Sequence, residues 1–377
     1  MGISRRGVIL GGAALVAAAG AGWLKFHKKP VPIGFEVSEE ELMAARAFLK
    51  AHPAIDSHAH PGRTFVRGAT GLKGKLKLYK AMGTFEDKSV AAMRAGGAGA
   101  ASFAAVSDFQ ILGIGKTGLS AIRDFKPGEA LESYKRQIRN LKALQTRGLV
   151  TYVTNENALD KVNAAGGIAA LLTVEGGDFL EGQAERVAMA RADGVQSITL
   201  LHYHTNELGD IMTAPPVHGG LTEAGRAVVQ AMNAAHMLID VAHASEDTLK
   251  DVLAASTAPL MCSHTHIKGP NVPDIPRYIS RELALEIAGA GGVIGAWPAG
   301  FGIANLAGYL DRIMELIDIV GIDHVVLGTD MDANYKPVME SYAKMPWLVA
   351  GLKKRGLSDV DLAKFLRGNF LRVWAAA

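Results

Sequence analysis

Two histidines stand two residues apart in Ala54-Ile55-Asp56-Ser57-His58-Ala59-His60, directly after a short apolar run. Residues two apart in a strand share a face, so His58 and His60 can offer their ring nitrogens to one metal ion. Alone the pair says little, because surface His-x-His is common. Five further apolar runs end in the same way: "ALLTVEGG" at Glu175, "ITLLHYHTN" at His202 and His204, "LIDVAH" at His243, "LMCSHTH" at His264 and His266, and "VVLGTD" at Asp330. Taken singly, each has a plainer reading. A histidine can simply finish a strand, Glu175 can cap a helix, and Asp330 can accept main-chain N–H groups in a turn. Taken together, several imidazoles and two carboxylates on one rim are costly unless paired. Metal ions remove that cost, and zinc suits this mixture of imidazole and carboxylate.

The elements that must position these residues follow from the apolar pattern. Strands are expected over Ala54–His58, Ala98–Ser107, Ala169–Glu175, Ser197–Tyr203, Met237–His243, Leu260–Thr265, Gly292–Trp297 and His324–Asp330. They are nearly continuous apolar runs, which fits a parallel sheet covered on both faces. Helices are expected to open at Thr222, Ser245, Ser280 and Ser358, and Gly291, Gly321 and Gly356 punctuate helix ends. Ser38–Lys50 reads as a helix against the barrel, and Gly148–Thr154 as a short segment leading into a helix over Asn157–Ala165. Eight βα units imply an α/β fold, a closed (β/α)8 TIM-like barrel. An open doubly wound sheet is the rival, and no Gly-x-Gly-x-x-Gly follows an early strand to support its nucleotide-binding form. In a barrel all strand ends converge on one rim, where such enzymes place their chemistry. His204 and His266 are expected to support the rim rather than ligate. His27, His52, His218, His236 and His324 read as surface or packing residues.

The chain of 377 residues opens with Arg5 and Arg6 before a polar-free run from Gly7 to Leu24. This has the form of a twin-arginine-like export signal. Residues 1–30 are therefore expected to be an export signal or N-terminal anchor, cleavage and retention both staying open, and residues 31–377 a single catalytic domain. The implied location is periplasmic, with attachment to the inner membrane as an option. The first 30 residues hold five of the 40 Lys and Arg and none of the 37 Asp and Glu, so the remainder is close to neutral. No nucleic-acid partner is expected of such a surface. The Lys73–Lys80 run "KGKLKLYK" reads as a solvated loop. Cys262 is the only cysteine, which excludes an intrachain disulfide.

On these residues the chain resembles the membrane dipeptidase (renal dipeptidase) family of zinc peptidases. The resemblance rests on "IDSHAH", "AGGAGAASFAAVS", "LLTVEGG", "ITLLH", "LTEAGRAVVQAMNAAHMLIDVAHAS", "APLMCSHT", "NVPD", "DHVVLGTDMD" and "LRGNFLRVW". It implies two Zn2+ ions bridged by Glu175, one held by His58 and His60 and the other by His243 and His264. It also implies a metal-bridging hydroxide that attacks the amide bond of a dipeptide. His202 matches the residue that steadies the substrate and its oxyanion, and Asp330 the proton shuttle. Elementary chemistry agrees, since two close ions activate one water and polarise one carbonyl, while a neighbouring carboxylate moves the proton.

Two departures from the family pattern stand out. The first strand carries His-x-His where the family has His-x-Asp, which makes the site more positive by one charge. Pro270 stands where the family has an arginine that recognises the substrate's terminal carboxylate, leaving Lys268 or Arg277 to compensate. The substrate is thus expected to be a small amide or dipeptide. A related amidohydrolase acting on another small amide or lactam, and a non-hydrolytic maturation or binding protein on the same scaffold, are the alternatives. A homodimer stays open.

Overall fold

The computed structural model describes residues 30–115, 118–270 and 272–377. The apolar runs form strands β1 (Ala54–Ala59), β2 (Ala98–Val106), β3 (Ala169–Glu175), β4 (Val195–Thr199), β5 (Leu238–Asp240), β6 (Met261–Thr265), β7 (Val293–Ala296) and β8 (Val325–Leu327). Neighbours are parallel and follow chain order. A two-residue strand, Thr151–Tyr152, pairs with the start of β3. The seam between β8 and β1 closes just beyond the strands. There the Asp330 N–H donates to the His58 carbonyl and the His60 N–H to the Met331 carbonyl, both at 2.9 Å. The result is a nearly closed (β/α)8 TIM-like barrel.

Polar caps set where the surrounding helices begin. Thr222, Ser245, Ser280 and Ser358 each accept from a main-chain N–H three residues on, opening helices Glu223–Ala234, Glu246–Ala255, Arg281–Gly289 and Asp359–Ala363. Ser38 and Glu41 cap helix Glu39–Ala51 reciprocally. Ile55, Leu171, Leu238, Met261, Val293 and Val326 form one cluster with Phe370 from helix Asn369–Ala376. Truncating a buried phenylalanine such as Phe370 to alanine costs about 3–5 kcal/mol. With that end packed, the other end, where the strands' carboxyl termini emerge, is left for the site. Strands come close there: a Cβ on Gly328 would lie 1.9 Å from the Ser263 carbonyl oxygen, so only glycine fits.

Three strands end earlier than the apolar pattern suggests. Ladders expected to reach Tyr203, His243 and Asp330 stop at Thr199, Asp240 and Leu327. His243 (φ 70°) and Asp330 (φ 51°) have left-handed backbones, which a ladder residue cannot adopt. The chain leaves the wall three residues before each, so these side chains reach the mouth from loops. The segment between β1 and β3 also holds unforeseen elements: helices Leu76–Met82, Glu86–Gly96 and Glu129–Thr146, and a hairpin of Leu112–Gly115 with Gly118–Ala121. Helix Leu76–Met82 covers much of the lysine run that was expected to be a loop.

The expectation of membrane attachment, and of a location tied to it, is corrected. Among the described residues no helix is long and apolar enough to cross a membrane. The longest, Glu129–Thr146, carries Glu129, Glu132, Lys135, Arg136, Arg139 and Lys142, which no hydrocarbon layer accommodates. The leader on which the expectation rested, residues 1–29, lies outside the described residues.

Candidate metal centre

Glu175, the last residue of β3, sits at the centre of the mouth. Its Oε1 lies 3.3 Å from His58 Nε2, 3.2 Å from His243 Nε2 and 3.6 Å from His264 Nε2. Its Oε2 lies 3.3 Å from both His60 Nε2 and His202 Nε2. Asp330 Oδ1 is 3.3 Å from His60 Nε2. Within each imidazole pair, His58 with His60 and His243 with His264, the two Nε2 atoms face each other at 3.1 Å. All seven side chains are buried or nearly so.

This donor set fits metal ions. Ligand nitrogens and oxygens about 2.0–2.2 Å from a tetrahedral ion stand roughly 3.3–3.6 Å apart, close to the spacing seen here. Two facing imidazole nitrogens in a dry cup repel unless something positive lies between them. Three sets of side chains each bring ligand atoms within 4.8 Å of one another: His58, Glu175 and His264; His58, His60 and Asp330; and Glu175, His202 and His243.

The outer contacts aim the rings. Ser263 Oγ donates its one hydrogen to Asp240 Oδ2 at 2.6 Å. It must therefore accept from His264 Nδ1–H at 2.9 Å, leaving the lone pair on Nε2. The Ala104 carbonyl, which can only accept, fixes His60 in the same tautomer at 3.3 Å, and Asp108 Oδ1 fixes His202 at 2.7 Å. Asp56, sharing its β1 face with His58, accepts from the His58 and Thr329 N–H groups, the Thr329 hydroxyl and the Tyr342 hydroxyl. It ties β1 to the loop that carries Asp330.

Charge follows from this packing. Burial raises the Glu175 carboxyl, but His202 and His58 outweigh it and hold the group well below the usual carboxylate range. Burial, then Arg277, hold His243 well below the usual imidazole value, and burial with His58 and Arg277 does the same for His264. Both are neutral and free to donate lone pairs. Burial pulls His60 down, yet Asp330 and Glu175 push it up to about 10. A proton sits there unless a cation takes its place.

Of the residues singled out in the sequence, His58, His60, Glu175, His202, His243, His264 and Asp330 all meet at this point. Arg277 joins them: its Nη2 lies 3.2 Å from His243 Nε2 and its guanidinium carbon 5.2 Å from the Trp297 ring centre. Lys268 does not. It is exposed, with its ammonium 3.1 Å from Glu246. His204 and His266 turn away, to Asp178 at 2.6 Å and Arg312 at 3.0 Å. Sequence reading missed Asp108 and Trp297. Trp297 follows directly on β7 and Asp108 comes two residues after β2.

A (β/α)8 barrel that gathers five imidazoles around one carboxylate at its mouth has the architecture of a metal-dependent hydrolase. The chain belongs to the membrane dipeptidase family: residues 42–377 match the family described as Membrane dipeptidase (Peptidase family M19). It is similar to the dipeptidase aclJ of Aspergillus oryzae, 34% identical over 225 residues, covering 56% of this chain and 52% of that protein. The dipeptidase verJ of Clonostachys rogersoniana is 31% identical over 220 residues, 56% of each. The match thus spans about half the length of these curated relatives. Among solved structures, the probable dipeptidase PvdM from Pseudomonas aeruginosa superposes with a TM-score of 0.73 at 19% identity, over 90% of this chain and 99% of that one. A metallo peptidase from Rhodobacter sphaeroides, liganded with a phosphinate mimic of the dipeptide L-Ala-D-Ala, gives 0.72 at 19%, over 86% and 99%. These two likenesses concern the fold.

Proposed function

We propose that the protein is a zinc-dependent hydrolase that cleaves the amide bond of dipeptides, using two ions bridged by Glu175. The observation that carries this reading is the convergence of two imidazole pairs on one ionised carboxylate. His58 and His60 would hold one ion, His243 and His264 the other. When bound, the ions lower the pKa of a water and polarise the scissile carbonyl.

The chain's own residues do the rest. Asp330, 3.3 Å from His60, takes the proton of the attacking water and delivers it to the leaving amine. His202 stands over the carbonyl oxygen and donates to it as negative charge develops. Asp108 locks the His202 ring and, against the pull of burial, raises its pKa, so the proton needed for that donation is retained. Arg277 is buried without a carboxylate partner among the described residues. A guanidinium in that position calls for an anion, and the free carboxylate of a dipeptide supplies one. The relatives' names as dipeptidases support the same substrate class.

The test is amino-acid release from a panel of dipeptides, with the metal-stripped and zinc-reloaded protein side by side. Turnover is expected to vanish on chelation and return with zinc. No release from any dipeptide by zinc-loaded protein contradicts the reading.

A further inference from the structure

Past β7 the chain runs Trp297-Pro298-Ala299-Gly300-Phe301, and past β8 it reaches Tyr335. Main-chain bonds lock these two loops together: Gly300 N–H donates to the Tyr335 carbonyl at 3.0 Å, and Val338 N–H to the Pro298 carbonyl at 2.9 Å. The loops bring three rings into a line. Trp297 lies 5.8 Å from the His264 ring and 5.6 Å from Phe301, and Phe301 stacks on Tyr335 at 4.6 Å. Burial falls along the line. Trp297 is buried, Phe301 is half-buried and Tyr335 is 49% exposed. Aromatic surface therefore leads from the metal centre out to solvent.

Polar groups at the inner end point the same way. Trp297 Nε1 and Arg277 Nε are both buried without a hydrogen-bond partner among the described residues, and the Arg277 guanidinium lies against the Trp297 ring. Buried donors left unpaired are costly, so both await an acceptor. A carboxylate and a side chain hang from one Cα. A residue whose carboxylate meets Arg277 therefore carries its side chain beside the ring line.

We propose that Trp297, Phe301 and Tyr335 form the subsite for an aromatic side chain on the carboxyl-terminal residue of the substrate, next to the carboxylate held by Arg277. The inference rests on the dipeptide-hydrolase reading above and names its substrate class. Offset or edge-on contact with a substrate ring supplies the selectivity, and the exposed outer end admits a long side chain.

The experiment compares Ala-Phe with Ala-Ala on zinc-loaded wild type and on Tyr335→Ala and Phe301→Leu. Isothermal calorimetry of L-Phe and L-Ala binding runs alongside. Wild type is expected to favour Ala-Phe in kcat/KM by about tenfold. The ratio should shrink several-fold in either variant, through KM more than kcat. A wild-type ratio near one, or variants that depress both dipeptides equally, overturns the subsite and leaves only a loop-locking role for the rings. If neither these dipeptides nor any other of the panel above is cleaved, the hydrolase reading fails by itself. Calorimetry then decides the subsite: tighter L-Phe than L-Ala binding, lost in Tyr335→Ala, sustains it, and equal binding overturns it.

Discussion

The Asp330 main-chain N–H donates to the His58 carbonyl at 2.9 Å, so the bond that closes the barrel also sets Asp330 beside the first histidine pair. The left-handed backbone at Asp330 (φ 51°) turns its carboxylate inward to 3.3 Å from His60 Nε2. Strain of this kind persists only where the surroundings hold it. Asp56 holds it here, through its bonds to Thr329 on the preceding residue.

That placement predicts a split between metal binding and turnover. Asp330→Asn keeps the shape and removes the basic oxygen. The expected result is a kcat lower by roughly 10²–10⁴ with zinc content preserved, the usual scale for general acid–base catalysis. Loss of zinc in the variant would instead make Asp330 a ligand, a role its distance to His60 also permits.

Carboxylate recognition should reside in Arg277 and not in Lys268. A charge-assisted hydrogen bond to an ionised group contributes about 1.5–3 kcal/mol. Arg277→Met should therefore reduce the preference for a dipeptide over its amide by roughly 10–150-fold. Lys268→Ala, at an exposed residue paired with Glu246, should change it less than about twofold. Equal effects of the two substitutions would show that neither residue is placed to read the carboxylate.

His204 gives the fold a pH-dependent contribution. Burial pulls its pKa down, but Asp178 outweighs this and raises it to about 9. Below pH 6.5 the folded and unfolded chains both hold this proton, and the pair's contribution is fully present. Between 6.5 and about 9 only the folded chain keeps it, so stability falls as pH rises and the contribution is lost above 9. Melting temperatures of wild type should decline across that window more steeply than those of His204→Gln. Parallel curves would remove the ion pair from the account.

Most of the site was legible because its chemistry interrupts apolar strands. His58, Glu175 and His264 lie on ladders that the sequence delimits within a residue or so, and His60 follows the end of β1 directly. His202, His243 and Asp330 also reach the mouth, but from loops and not from the strands on which the apolar pattern placed them. Nothing in "LIDVAH" or "VVLGTD" announces a positive φ at a histidine or an aspartate, because that conformation is imposed by the closed mouth. Asp108 was passed over, as its partner His202 is 94 residues away, a pairing only the fold creates. The Trp297–Phe301–Tyr335 line joins two loops in the same manner. Of the elements between β1 and β3, helices Leu76–Met82 and Glu86–Gly96 and the hairpin escaped notice because short pieces carry weak periodicity. Helix Glu129–Thr146 was overlooked although its buried residues recur at helical spacing.

The central claim is a two-ion centre bridged by Glu175, and metal stoichiometry tests it most directly. Wild-type protein and Glu175→Gln, both loaded with zinc and desalted, are to be assayed by elemental analysis together with their melting temperatures. The account predicts about two zinc ions per chain in wild type, a melting temperature raised by zinc, and at most about one ion in the variant, whose amide cannot bridge. Wild-type protein holding less than about half an equivalent, with no thermal shift on adding zinc, would contradict it.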